Sequence, residues 1–308
     1  MLATLVSMAL LAAAQQDPPV QDPPPQDPPA TRVDDIVVDG RPLRVVAEEF
    51  VDNVGEAPRD RGLARWHRPI CVGAVNLRTE AARPLLDHIA SVADDLGVRS
   101  RDPGCRPNVV IVFTEDPRAV AAAILEADPR GFRLGHRNFH LDAGHLAEFV
   151  DGDRAIRWWH TSVPTDSETG RRAVRLPGDL DPATGLPAAP MIYSTSASRL
   201  FTQIRDDLSR VFIVVDVDRI EDVTPRQLGD YLAFVTLAQI DPRGDVSRQA
   251  SVLNVFDDPG SSAGFSDWDM AYLRALYRPG LETRTNPRAV SDDVAAAVAR
   301  TIRSSAQP

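Results

Sequence analysis

The sequence has no lysine; all 34 of its basic residues are arginine. A Schiff-base amine, the phosphate lysine of a Walker-type loop and a Ser-Lys dyad all need the missing ammonium group, so these chemistries are excluded. Arginine-favouring codon usage explains the absence without a functional cause. Positive charge is also in deficit, with 44 acidic residues and a net charge of −10. Nucleic acid and anionic membranes attract surfaces of the opposite sign, so neither is an expected partner. Histidine is sparse and stops at His160, and Cys71 and Cys105 are the only cysteines. The one long apolar run, Met1–Ala14, is shorter than the about 20 residues that span a bilayer.

That run reads MLATLVSMALLAAA and ends on small residues before Gln15. It fits a signal peptide cleaved after Ala14, although no arginine precedes it; an uncleaved buried helix is the alternative. Residues 15–32 follow as a linker in which QDPP recurs three times. Proline fixes φ and removes a backbone donor, so this stretch predicts an extended spacer. Export implies an oxidising compartment, and the two cysteines are expected to bond to each other there. The predicted location is periplasmic or secreted, with no membrane span in the mature chain.

Residues 33–285 predict a single α/β domain, and residues 286–308 a C-terminal helix and tail. Asp34–Val46 reads as a hairpin around Asp39-Gly40. Ile70–Leu77, Asn108–Phe113, Ile156–Val163 and Val211–Val217 read as strands, with Met191–Ser194 as a further short one. Thr79 is expected to cap a helix running to Leu96, stopped by Gly97, and Pro117–Ala127 predicts a second helix. Arg130–Gly152 reads as irregular, and Ser198–Arg210 as a helix or an ordered loop. Thr224 with Pro225 and Gln227 forms a capping box for Thr224–Ile240, whose apolar residues run almost all the way round. Such a helix is buried at the centre of a domain. Ser266 with Asp269 opens a further helix, and Ser291–Arg303 closes the chain with another.

The phrases RPICVGAVNL, PGCRPNVVIVF, RWWH, SRLFTQIRDDL, VVDVDRI, QLGDYLAFVTLAQIDP and DWDMAYLRALY resemble a family of uncharacterised exported alphaproteobacterial proteins. That likeness covers most of the chain after the linker and implies no activity. More distantly, the layout resembles zincin metalloproteases, in which a buried helix carries His-Glu-x-x-His. This resemblance implies a mixed sheet packed on helices around one buried central helix. Zinc catalysis needs two histidines four apart with a glutamate beside the first. Here Asp230, Tyr231 and Phe234 stand at the matching spacing, and Leu228–Ile240 holds neither histidine nor glutamate.

Other constellations are each matched by a plainer reading. His136, His140 and His145, with Asp142 among them, would suit a metal site, or a solvated loop around Gly135 and Gly144. Gly260-Ser261-Ser262-Ala263-Gly264 matches G-x-S-x-G, but the hydrolase elbow needs a later histidine, and none exists. On a strand, Trp158 and His160 share one face and Arg157 and Trp159 the other. One tryptophan must therefore be covered, by a ligand groove or by a packed helix or loop. In the cluster Arg199, Arg205, Asp206, Asp207 and Arg210, the arginines would converge to bind a carboxylate or phosphate, or the whole cluster would line a helix face with i,i+4 pairs. Asp216, Asp218, Glu221 and Asp222 would bind calcium, or form a polar loop.

These readings lead to an exported, non-catalytic binding or structural protein with a zincin-like layout. The expected binding residues are Trp158, His160, Arg199 and Arg205, and the expected ligand a protein, peptide or envelope component. No cofactor is implied. Two alternatives stand beside this: a metal-dependent hydrolase built on His136, His140 and His145, and an envelope scaffold tethered by the proline-rich spacer.

Overall fold

Apolar, β-branched runs form the strands of a mixed sheet, and amphipathic helices cover both its faces. The computed structural model describes residues 41–57, 61–129, 132, 143–173, 178, 180, 204–281 and 287–306. The chain divides into Met1–Asp34 and Asp35–Pro308, and all the described residues belong to the second unit. The expected signal peptide, linker and Met191–Ser194 strand lie outside them. In order, the elements are α1 (Leu43–Val54), β1 (Val72–Val75), α2 (Thr79–Asp95), β2 (Val109–Thr114), α3 (Pro117–Ala127) and α4 (Ala143–Asp151). After these come β3 (Ile156–Asp166), β4 (Ile204–Asp216), α5 (Pro225–Leu237), α6 (Asp267–Leu276) and α7 (Pro287–Ser305).

The sheet order is β1-β2-β4-β3. β1, β2 and β4 run parallel, and β3 pairs antiparallel with β4 along its length, with a bulge between Thr161 and Ser162. The α/β class expected from the sequence is the class observed. One face of the sheet meets α2 and α5 in the main core, which also takes in α1, α6 and α7. The other face meets α3 and α4 over a smaller cluster around Phe132, Phe149 and Trp159.

The central helix forms as its capping signals predict. Thr224 accepts from the Gln227 amide, the Gln227 side chain returns to the Thr224 amide, and Pro225 occupies the first turn, where its missing N–H costs nothing. Ten of the thirteen residues of α5 are buried, so it lies inside the domain rather than on it. α6 repeats the device with Ser266 and Asp269.

Four local expectations are corrected. Residues 43–46, expected in a hairpin strand, belong to α1. Val46, Ala47, Phe50, Val51 and Val54 recur every three or four residues on its buried face, and that longer helical period outweighs the short RPLRVV run; Asp39-Gly40 lies outside the described residues. α2 takes Arg78 rather than Thr79 at its N-cap, with no side-chain cap. The 130–152 segment is not irregular throughout, because α4 starts at Ala143 and buries His145 and Phe149. Residues 204–210, read as helix or loop, extend β4. β3 supplies their backbone partners, and their charges meet opposite charges on other elements, so pairing overrides a polar sequence.

Cys71 and Cys105 are bonded, with Cα atoms 6.1 Å apart. The bridge ties the residue before β1 to the loop leading into β2.

Candidate functional site

The two tryptophans of β3 take opposite faces and both are covered by protein. Trp158 points into the main core, where its Nε1 donates to the Ile240 carbonyl at 2.9 Å and its ring meets Tyr231 edge-on. Trp159 stacks on Phe132 with ring centroids 5.0 Å apart. His160 is buried, and its Nε2 donates to the Val235 carbonyl at 2.7 Å. Burial pulls this imidazole down to about 4, so it is neutral near pH 7. Packed helices and the loop residue Phe132 thus cover most of this strand; His160 is enclosed, and Trp158 keeps an edge on a small cavity beside Tyr231 and Asp241. Arg205 pairs with Asp207 at 2.9 Å, and Asp206 accepts from Arg61 and from the Gly62 amide. These are strand-spaced and cross-element pairs rather than i,i+4 pairs on a helix. Arg199 lies outside the described residues.

At the zincin-matching positions, Asp230 is buried and fully engaged. One carboxylate oxygen lies 2.6 Å from His88 Nε2, and the other accepts from the Phe265 amide at 2.9 Å. Tyr231 and Phe234 pack into the core. The hydroxyl of Ser262, in the G-x-S-x-G run, donates back to the Gly264 carbonyl within its own turn. At the end of β4, Asp216 accepts from the Asp218 amide in a 3₁₀ turn, which is the polar-loop reading of those carboxylates.

His136 and His140 lie outside the described residues. His145 does join a cluster, with partners that no sequence motif names. α4 carries it to Glu56, just past α1, and to Asp241, just past α5; among the described residues this is the group of three donors that would suit a metal ion. His145 Nε2 contacts Glu56 Oε1 and lies 3.5 Å from Asp241 Oδ1. Arg243 Nη2 sits 2.6 Å from the same nitrogen and 3.1 Å from Nδ1. Burial pushes the Glu56 carboxyl up to about 7, against the opposing pull of His145. Asp241 also lines a small cavity of about 80 Å³, with Asp245, Asp257, Asn53, Asn254 and Tyr231 around it.

A second cavity, of about 260 Å³, has the opposite electrostatic character. Arg65, His67, Arg68 and Arg99 line it beside Trp66, Pro69, Leu96, Gly97, Val98 and Tyr277, with no carboxylate in its wall among the described residues. Arg65 is buried, its Nη1 donating to the Leu276 and Arg278 carbonyls at 2.7 and 3.1 Å. His67 Nδ1 meets Asp207 at 2.7 Å. Arg68 and Arg99 are exposed, and their guanidinium groups make no ion pair among the described residues. Gly97, at φ +79°, lets α2 end here, with the Gly97 and Val98 amides bonded to the last helical carbonyls.

No family model, curated protein or solved structure matches the chain.

Proposed function

We propose that this chain is an exported, non-catalytic binding protein of the cell envelope, and that its ligand is a small anion seated in the arginine-lined cavity. The cavity carries the reading: among the described residues, Arg68 and Arg99 face solvent without an ion-pair partner, beside Arg65 and His67, in a wall without a carboxylate. A chain with a net charge of −10 gathers positive charge there against its overall balance. Guanidinium forks match carboxylate and phosphate oxygens, so an organic acid, a peptide carboxylate or a phosphate has the right chemistry. Export is supported by the apolar leader, the proline-rich stretch after it and the Cys71–Cys105 bond. Among the described residues, no helix is long and apolar enough to cross a membrane.

The zincin-like part of the reading rests on a buried helix followed by a capped one, α5 and then α6. The non-catalytic part rests on Asp230, Tyr231 and Phe234, which are bonded or packed where a protease would hold its zinc. The test is calorimetric titration with phosphate, citrate and succinate at low salt. Saturable binding should weaken at least about tenfold in Arg68→Ala/Arg99→Ala, since a charged hydrogen bond is worth about 1.5–3 kcal/mol. Binding that the double variant leaves unchanged, or none by about millimolar concentration, overturns the proposal.

A further inference from the structure

We infer that Glu56, His145 and Asp241 form a binding site for one divalent transition-metal cation, and that Arg243 covers the site when it is empty. This site is separate from the anion cavity and does not depend on it.

His145 Nε2 faces Glu56 Oε1, Asp241 Oδ1 and the Arg243 guanidinium at once. An imidazole nitrogen either donates one proton or accepts one; it cannot do both, and it cannot serve three partners. If Nε2 carries the proton, it satisfies one carboxylate, Nδ1 can accept from Arg243 at 3.1 Å, and the second carboxylate gains no donor from the ring. If it carries the lone pair, Arg243 is satisfied and the carboxylates face an acceptor. A cation bound to that lone pair removes the conflict, because both carboxylates then become ligands to the same charge. The geometry already allows it, with donor atoms from all three residues within 4.8 Å of one another.

Two further observations point the same way. Glu56 is only 5% exposed, and its second oxygen, Oε2, has no hydrogen-bond partner among the described residues. A buried carboxylate oxygen without a donor is a costly arrangement that a metal ligand relieves. Asp241 is the most exposed of the three donors and lines the small cavity whose wall also holds Asp245 and Asp257 against one arginine, Arg154, so the balance of charge at the approach favours a cation. One imidazole and two carboxylates suit zinc or manganese better than calcium or magnesium, which prefer oxygen ligands alone. Arg243, whose Nε lies 3.6 Å from Asp241 Oδ1, has a side chain 41% exposed, which leaves it room to turn outward as the metal binds.

The test is titration of the EDTA-treated, dialysed chain with zinc chloride, followed by calorimetry and elemental analysis. One zinc per chain is expected, with affinity falling at least about tenfold in His145→Ala. Because His145→Ala removes a buried side chain that also supports the fold, Arg243→Gln serves as the second variant. It leaves all three donors in place and should bind zinc more tightly than the parent. The double variant His136→Ala/His140→Ala should bind as the parent does. No stoichiometric zinc in the parent, unchanged or weaker binding in Arg243→Gln, or binding lost in the His136/His140 variant would each overturn the assignment.

Discussion

Replacing Asp269 by alanine removes the acceptor from a buried network that holds two elements together. Asp269 is fully buried. Its Oδ1 accepts from Ser251 Oγ at 2.6 Å, and its Oδ2 from the Val252 and Ser266 amides at 2.8 and 2.9 Å. One carboxylate therefore completes the capping box of α6 and pins the 3₁₀ turn at Val252–Asn254. Alanine would leave both amides without an acceptor, at about 1–3 kcal/mol each. The expected loss is about 2–6 kcal/mol, a large part of the about 5–15 kcal/mol that a domain has.

The same carboxyl imposes a pH dependence whose sign can be worked out. Burial raises it from 3.8 to about 6, outweighing its hydrogen-bond donors. The folded state thus holds this proton more tightly than the unfolded chain does. The stabilisation is complete below about pH 3.8 and is lost as pH rises through about 6. At about 1.4 kcal/mol per pH unit, the window is worth about 3 kcal/mol. Guanidinium unfolding followed by tryptophan fluorescence at pH 4, 5, 6 and 7, run on the parent and on Asp269→Asn, measures it as the difference between the two profiles, because His160 and Glu56 titrate in the same window. A cost under about 1 kcal/mol for Asp269→Ala, or a parent slope kept in Asp269→Asn, would show that this carboxyl does not hold the two elements together.

Two further outcomes are expected. Cys71→Ser/Cys105→Ser opens a loop with a sequence separation of 34, so denaturant stability should fall by about 4 kcal/mol on the chain-entropy model; an unchanged midpoint would refute that. Gly244→Ala would drive a Cβ into the Asn53 carbonyl oxygen, a backbone atom that cannot rotate away. It should cost about 3 kcal/mol, measured by thermal melting, and a neutral result would show that the Asp241–Gly244 turn is not held against the end of α1.

Much of the architecture was legible because it is written locally. Thr224, Pro225 and Gln227 mark the start of α5 within four residues, and Ser266 with Asp269 does the same for α6. The runs at 109–114 and 211–216 are apolar enough that no other placement than a buried strand suits them. Where the reading failed, the deciding partner was distant. Residues 204–210 are too polar to announce a strand, and only β3 alongside, with Arg61 and Asp128 on other elements, makes one of them.

Composition and spacing alone determined that lysine chemistry is excluded, that the central helix is buried and carries neither histidine nor glutamate, and that Cys71 has one possible partner within the chain. These conclusions need only a count or a short-range period. The tertiary structure decided which groups meet. It brought Glu56 and Asp241 to His145, gathered Arg65, His67, Arg68 and Arg99 around one cavity, and placed Trp159 under Phe132. Each grouping joins residues from separate elements, whose approach is set by how helices pack on the sheet, and no local pattern encodes that.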